Sequence, residues 1–220
     1  VLSLFFIDKV ANYRCYDEQG QAGLGPFGVW FEAAFLRHAA LPQNQGLIPH
    51  RVEAVHNGYF SGDKKGKGAS SKTLWVDTSG EGSKDDDTYA LIMRDKERLL
   101  SADEPLQFIF SHSALREGWD NPNVFQICTL NETQSSLKKR QEIGRGLRLC
   151  VDQSGRRVED KEINVLTIVP NQSYASFALA LQQEIKDETG YDFSGRIRNA
   201  RDKAKIQRKA LNAEQDEAFR

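Results

Sequence analysis

The stretch that decides the fold is "LQFIFSHSALREGWDNPNVFQICTL", residues 106–130. It begins with "LQFIFS" and ends with "VFQICTL", two apolar runs whose length and aromatic and β-branched residues are typical of strands. The segment between them carries the turn formers Asp120, Asn121 and Pro122 just before the second run. This pattern predicts two strands joined by a loop.

The rest of the chain alternates between strand-like and helix-like patterns. The opening "VLSLFFI", residues 1–7, is a continuous apolar run, as expected for a strand that is covered on both faces. Further strands are predicted at 51–60, 72–77 and 162–169, polar loops at 61–72 and 79–87, and helices at 25–41, 88–100, 134–149 and 173–188. Alternation of this kind predicts an α/β fold with an open, mostly parallel sheet flanked by helices.

The composition excludes several classes of protein. The chain has 220 residues, of which 39% are hydrophobic, so it can bury a core and is not a disordered chain. With 30 Lys and Arg against 31 Asp and Glu it is not a uniformly basic protein, although a local basic stripe is compatible with that balance. No apolar run reaches the roughly 18 residues of a membrane span. The three cysteines form no C-x-x-C pair, so we expect reduced thiols and a cytoplasmic protein.

The two ends of the chain differ in character. At the N-terminus a predicted strand begins at Val1 without an initiator methionine, so we expect the chain to be part of a longer polypeptide. We predict one domain at 1–190 and a helical extension at 191–220 that is first basic and then acidic. Its basic residues are Arg196, Arg198, Arg201, Lys203, Lys205, Arg208 and Lys209. The extension is either a solvated helix or an arm that contacts nucleic acid.

Two arginines stand out in "QEIGRGLRL", residues 141–149. On a helix, Gln141, Arg145 and Arg148 share one face, because they are spaced i, i+4 and i+7. Two guanidinium groups so close repel each other unless an anion lies between them or solvent screens them. Their forked donors suit phosphate oxygens. The alternative is an ordinary surface helix whose arginines pair with carboxylates.

The opposite side of this helix is predicted to face the sheet. It carries Ile143, Gly146, Leu147 and Cys150. A glycine inside a helix costs about 1 kcal/mol relative to alanine, so Gly144 and Gly146 need a reason. We expect the glycines to let the helix approach its neighbours closely.

A second stretch with functional character is "ALREGWDNPNV", residues 114–124, which follows a predicted strand. Gly118 permits close backbone approach, and Asp120 could accept hydrogen bonds from a sugar hydroxyl. Parallel sheets bind ligands at the loops beyond the carboxyl ends of their strands, so we expect both stretches at the same sheet edge. The alternative is a structural connection in which Trp119 fills the core.

These stretches together resemble a known family. "QEIGRGLR" matches the Q-x-x-G-R-x-x-R pattern of motif VI of superfamily 2 helicases, "REGWDNPNV" resembles motif V, and "LSLFFIDKVANY" resembles motif IV. Within that superfamily, "FIFSHSALREGWDNPNVFQICTLNET" closely resembles the Res subunit of type III restriction-modification systems. The resemblance extends over roughly residues 1–190. It implies the second RecA-like domain of a subunit that is an ATP-dependent DNA translocase and endonuclease.

The resemblance implies a role for each residue of the motif VI stretch. Arg148 would be the arginine finger that reaches the γ-phosphate of ATP, and Arg145 would make a second phosphate or interdomain contact. Gln141 would help to order the nucleotide cleft. In other phosphoryl-transfer enzymes an arginine of this kind raises the rate by about 10³ to 10⁵-fold. This gain in transition-state stabilisation is larger than the loss of helix stability caused by two glycines.

The other implied site residues lie in the motif IV and V stretches. Gly118 and Asp120 would contact the nucleotide ribose or transmit its state, with Glu117 nearby. The residues that would face the DNA backbone are Asp8, Lys9, Ser111, His112 and Ser113. The implied partners are double-stranded DNA, the modification methyltransferase (Mod) subunit, and a preceding RecA-like domain and a following nuclease domain of the same subunit.

Motifs that the sequence lacks limit what the chain can do alone. It contains no G-x-x-x-x-G-K-[ST] loop to hold β- and γ-phosphates and no D-E-x-[HD] box for Mg²⁺. We therefore expect ATP and Mg²⁺ to serve the full-length enzyme, with neither held by this chain alone and no metal site among its histidines. Alternatives are another superfamily 2 translocase, a catalytically inactive nucleic-acid-binding module, or a small-molecule α/β enzyme.

Overall fold

The computed structural model describes residues 1–18, 21–60, 62–65, 72–75, 97–112, 121–131, 136–190 and 197–199. Its strands are β1 (Leu2–Phe6), β2 (Arg14–Tyr16), β3 (Ala22–Leu24), β4 (His56–Tyr59), β5 (Gly62–Lys65), β6 (Lys72–Trp75), β7 (Phe108–Ser111), β8 (Val124–Thr129), β9 (Leu166–Val169) and β10 (Ile197–Asn199). Its α-helices are α1 (Pro26–Ala39), α2 (Val52–Val55), α3 (Ser136–Gly144) and α4 (Gln172–Thr189).

A six-stranded sheet in the order β10-β9-β8-β1-β7-β4 organises the molecule. Every neighbouring pair in it is parallel. At its centre Leu4 of β1 lies opposite Ile109 of β7 and Ile127 of β8, and all three side chains are buried. The predicted α/β class and the RecA-like arrangement of a parallel sheet between helices are therefore confirmed.

The side chains of β1 alternate between two hydrophobic clusters on opposite faces of the sheet. Leu2, Leu4 and Phe6 join the cluster that contains Ile143 of α3 and Leu181 of α4. The other cluster contains Ile7 and packs against Phe5 of β1 and residues of α1. A strand that is covered on both faces needs apolar residues at consecutive positions, which is why "VLSLFFI" shows no polar alternation.

An aromatic cluster fixes α1 to its face of the sheet. The ring of Phe110 stacks on Phe5 at 4.5 Å and on Tyr13 at 4.4 Å, and Phe31 of α1 meets it edge-on at 5.6 Å. His56 lies beside these rings, with Nδ1 2.8 Å from the Tyr13 hydroxyl. Burial lowers the pKa of His56, so its imidazole is held neutral inside the cluster.

Two predicted elements differ from the observed ones, and a third lies mostly outside the described residues. The strand predicted at 51–60 begins as the short helix α2 and becomes extended only at β4. The predicted loop at 61–72 contains β5, which pairs antiparallel with β6. Of the helix predicted at 88–100, only a 3-10 turn at Arg98–Leu100 lies within the described residues.

The sheet also extends further along the chain than predicted. Residues Ile197–Asn199 form β10, which pairs in parallel with β9. The prediction of a helix is therefore wrong for these three residues. The physical reason is that the free edge of β9 offers unpaired backbone donors and acceptors, which a further strand satisfies. The remainder of the predicted extension lies outside the described residues.

Candidate functional site

The helix that carries the glycine–arginine stretch is shorter than predicted. Helix α3 ends at Gly144, and three successive i→i+3 backbone hydrogen bonds continue the chain as a tighter turn. In these bonds the amides of Arg145, Gly146 and Leu147 donate to the carbonyls of Glu142, Ile143 and Gly144, with N···O distances of 3.4, 2.9 and 3.4 Å. Arg145 and Arg148 thus follow the helix, and helical periodicity does not fix their relative positions.

The predicted buried side of this stretch is confirmed, but only one glycine makes a close approach. Ile143 is fully buried, and Leu147 packs against the same core cluster. A Cβ added to Gly146 would lie 2.9 Å from Leu166 Cδ2 and nearer still to Cδ1. A Cβ added to Gly144 would meet no atom within 4 Å. The expectation of close packing therefore holds for Gly146 and is wrong for Gly144.

The polar side of the stretch is not one uniform exposed face. Gln141 and Arg148 are exposed, whereas Arg145 is half-buried. Burial lowers the pKa of Arg145, and the negative charge of Glu142 raises it. The two arginines thus differ in exposure and in surroundings.

The chain just after the glycine–arginine stretch contacts the second functional stretch beside β8. The Val151 amide donates to Asn123 Oδ1 at 2.9 Å, and Asn123 Nδ2 donates to the Val151 carbonyl at 3.2 Å. Asn123 immediately precedes β8, so this contact lies at the amino end of that strand. Ser113, Glu117, Gly118 and Asp120 lie outside the described residues, so their roles stay predictions.

Four of the five residues predicted to face DNA are brought together at the carboxyl edge of the sheet. Asp8 and Lys9 follow β1 and are exposed, while Ser111 ends β7 and His112 follows it. The Ile7 amide donates to the Ser111 carbonyl at 2.9 Å, which holds the two strand ends side by side. The side chain of Ser111 is only 1% exposed, so it packs within this edge and does not face solvent.

Glu142 is a buried charged residue that the sequence reasoning missed. The residue is only 4% exposed, so its carboxyl group is removed from solvent. Burial raises the pKa of this carboxyl to about 7, while Lys138, the Asn131 side chain and Arg145 act in the opposite direction. The available signal was the lysine one turn before it and the arginine three residues after it.

The fold and this site define an α/β domain of the RecA-like kind, with an arginine-bearing turn packed on one face of its parallel sheet. Sequence comparison then identifies relatives. The chain is 38% identical to the Res subunit of the type III restriction-modification enzyme EcoP15I of Escherichia coli over 174 residues, which is 74% of this chain. It is 34% identical to the StyLTI Res subunit of Salmonella typhimurium over 219 residues, which is 86% of this chain.

The chain is therefore a relative of the Res subunits of type III restriction-modification enzymes, and the resemblance seen in its motifs is confirmed. It spans 16% of the length of the EcoP15I subunit and 20% of that of StyLTI. No protein-family model matches the chain, and no solved structure matches it with significance. Within the described residues, no helix is both long and apolar enough to cross a membrane.

Proposed function

We propose that this chain is the second motor domain of an ATP-dependent DNA translocase and restriction subunit of a type III restriction-modification system. In this role it supplies the motif V and VI half of an ATP cleft and part of the DNA track. The observation that carries the proposal is the turn after α3, where Gly146 packs against Leu166 while Arg148 is exposed. The similarity to Res subunits supports it independently.

The chemistry of the turn suits a phosphate that is being transferred. A guanidinium group stays charged at all physiological pH values and donates two parallel hydrogen bonds to phosphate oxygens. Arg148 is the exposed arginine of the turn and would stabilise the charge that spreads over the γ-phosphoryl oxygens. Gln141, which is also exposed, would line the same cleft. A close-packed turn keeps such a donor in place without reorganisation at the moment of reaction.

The arginines fit ATP as a ligand, because permanently cationic donors are the groups that bind triphosphate oxygens. Mg²⁺ and the β- and γ-phosphates would be held by a preceding RecA-like domain, since this sequence has no P-loop. Bound ATP would supply the free energy of translocation. The residues of this chain would orient the γ-phosphate through Arg148 and Arg145 and contact the nucleotide through Glu117, Gly118 and Asp120.

The DNA track would use the carboxyl edge of the sheet. Lys9 is exposed there and can contact a phosphate, and the Ile7–Ser111 backbone bond keeps its loop beside His112. Phosphate contacts of this kind position a protein on DNA without reading its sequence. The recognition sequence would then be read by a Mod subunit.

The substitution Arg148→Ala tests the proposed function in the full-length polypeptide that carries this domain, assembled with its Mod partner. We expect DNA-stimulated ATP hydrolysis to fall by about 10³-fold or more, because the charge on the transferred phosphate loses its stabilising arginine. ATP binding, measured by nucleotide fluorescence, should change little. Steady-state phosphate release gives the rate.

Arg156→Ala is the matched control, because Arg156 is an exposed arginine that pairs with Asp152 in a surface loop. It should hydrolyse ATP at the rate of the unsubstituted protein. Normal turnover by the Arg148→Ala protein would remove the assignment of this arginine to the ATP cleft, and with it the motor function proposed for the turn.

A further inference from the structure

A separate two-stranded sheet follows the edge strand β4 along the chain. Strand β5 pairs antiparallel with β6, and within the described residues no third strand joins them. Strand β4 ends at Tyr59 and β5 begins at Gly62, so at most about 10 Å of chain separates the two strands. Because all strands of the six-stranded sheet are parallel, the hairpin starts at the carboxyl edge, where Lys9 and His112 lie.

The sequence of the hairpin is strongly basic. Residues 61–75 contain four lysines and one aspartate, whereas the whole chain has a net charge of −1. Lys64 and Lys65 belong to β5, and Lys72 begins β6. A local excess of positive charge in an otherwise balanced chain is typical of a surface that binds an anion.

The register of the hairpin sets two of these lysines directly opposite each other. Lys65 is the cross-strand partner of Lys72, while Lys64 is that of Thr73. Like charges at opposite positions destabilise a strand pair, and a two-stranded hairpin by itself is at best marginally stable in water. The hairpin is therefore a poor structural element on its own, and an anion beside the lysine pair would offset the repulsion.

The alternation of residues along the strands places lysines on both faces of this ribbon. Successive residues of a strand lie on opposite faces, so Lys64 is on one face and Lys65 and Lys72 share the other. A ribbon that is basic on both faces suits a site between two phosphate strands. The major groove of B-DNA is wide enough to admit a two-stranded β-ribbon and has a phosphate strand on each side.

The position of the hairpin matches the DNA track proposed above. Strand β4 is separated from β1 by β7 alone, so at the usual strand spacing the base of the hairpin lies about 10 Å from the end of β1. This distance is the length of about three base pairs, each of which rises about 3.4 Å along the duplex. One duplex can therefore contact both the hairpin and the loop that carries Lys9.

We propose that the β5–β6 hairpin is an arm that binds duplex DNA, and that Lys64, Lys65 and Lys72 contact its phosphate backbone. The inference rests on the proposed function and extends the DNA track beyond the motif stretches. Residues 61–75 contain no arginine, the side chain that most often reads guanine through two hydrogen bonds. Contacts between lysine and phosphate position a protein without reading sequence, so binding by the arm is independent of DNA sequence.

The combined substitution Lys64→Gln, Lys65→Gln and Lys72→Gln tests the arm in the purified 220-residue chain. We expect the association constant for a fluorescently labelled duplex to fall by about tenfold or more at about 50 mM salt, because three phosphate contacts are lost. The slope of the logarithm of this constant against the logarithm of salt concentration should become less steep by about two to three. Fluorescence anisotropy between about 50 and about 200 mM salt measures both quantities.

Two further variants separate a local contact from net charge and from misfolding. Arg156→Gln, Lys161→Gln and Lys186→Gln together remove the same charge from exposed positions outside the hairpin, and should leave the salt slope within about one of the original value. Replacing the three hairpin lysines by arginine keeps the charge and should retain duplex binding within about threefold. Two duplexes of unrelated sequence should bind equally well, and single-stranded DNA more weakly.

Equal loss of DNA binding in the hairpin and control variants would overturn the arm, since only net charge would then matter. Three other results would do the same: no duplex binding by the unsubstituted chain at low salt, equal affinity for single-stranded DNA, or equal affinity for polyglutamate, which would indicate an acidic protein partner. If the hairpin variant binds DNA normally while Arg148→Ala is inactive, the arm is wrong and the motor function stands. If the hairpin variant loses DNA binding while Arg148→Ala turns over normally, the arm stands and the motor function is wrong.

Discussion

Gly144 and Gly146 are separated by one residue, yet only Gly146 is required by packing. Both have negative φ angles, so neither is needed for a left-handed backbone. Gly146 lies where the chain leaves α3 and passes the buried side chain of Leu166 at the start of β9. Gly144 faces open space, so it weakens the end of the helix without any packing gain.

The two glycines therefore form a matched pair for a stability experiment. Gly146→Ala should lower the free energy of unfolding of the purified chain by about 1 to 3 kcal/mol, because the new methyl group overpacks against Leu166. Gly144→Ala should be neutral or stabilise by up to about 1 kcal/mol, because alanine favours the helix. Urea unfolding followed by circular dichroism measures both. Equal effects of the two substitutions on the free energy of unfolding would show that the close approach at Gly146 does not affect stability.

Helix α1 shows how an element can be attached by few side chains. Among its residues only Gly28 is fully buried. The helix contacts the sheet mainly through Phe31, whose ring centroid lies 4.9 Å from that of Phe108 and 6.0 Å from that of Phe5. Glu32 adds a polar contact, with Oε1 3.2 Å from His56 Nε2. The outer side of the helix carries exposed apolar residues, including Leu36 at 56% exposure.

The substitution Phe31→Ala should therefore loosen the whole helix. We expect the free energy of unfolding to fall by about 3 kcal/mol, the lower end of the range for removing a buried phenyl ring, because Phe31 is only partly buried. Leu36→Ala on the exposed side is the control and should change stability by about 0.5 kcal/mol or less. Hydrogen exchange of the α1 amides, measured by mass spectrometry, would report the loosening directly. A larger effect of Leu36→Ala would mean that the outer side is covered in solution.

At the scale of the whole molecule, one parallel sheet carries the turn after α3, and the proposed catalytic site is only half of a cleft. The turn after α3 offers arginines, but the sequence has no loop that could hold β- and γ-phosphates. The chain also spans only 16% of the length of the EcoP15I Res subunit. An ATPase of the proposed kind requires groups on both sides of the nucleotide.

The purified 220-residue chain should accordingly show no DNA-stimulated ATP hydrolysis above background, because arginines alone do not position the nucleotide and its Mg²⁺. Phosphate release with and without duplex DNA is the measurement, and the full-length polypeptide in the same assay is the control. Robust turnover by the 220-residue chain alone would contradict the assignment of this domain to one half of a shared cleft.

Much of the fold could be predicted from local sequence patterns. The central strands β1, β7 and β8 were predicted because a strand buried on both faces must be apolar at nearly every position. Helix α1 was predicted from the prolines near its start and after its end, and helix α4 from its periodicity. Strand β5 was not, because its segment is polar and rich in glycine and lysine, which is typical of a loop. Strand β10 was not, because it forms by pairing with β9, which is distant in sequence.

The same division applies to the candidate site. The sequence by itself determined the residue types, the glycine–arginine spacing and the buried side that carries Ile143 and Gly146. Only the tertiary structure decided that α3 ends at Gly144 and that Val151 is tied to Asn123 beside β8. It also decided that Glu142 is buried and that Arg145 is half-buried while Arg148 is exposed. The physical reason is that a pattern reports the preference of each residue, whereas burial and the end of a helix depend on which distant groups pack against it.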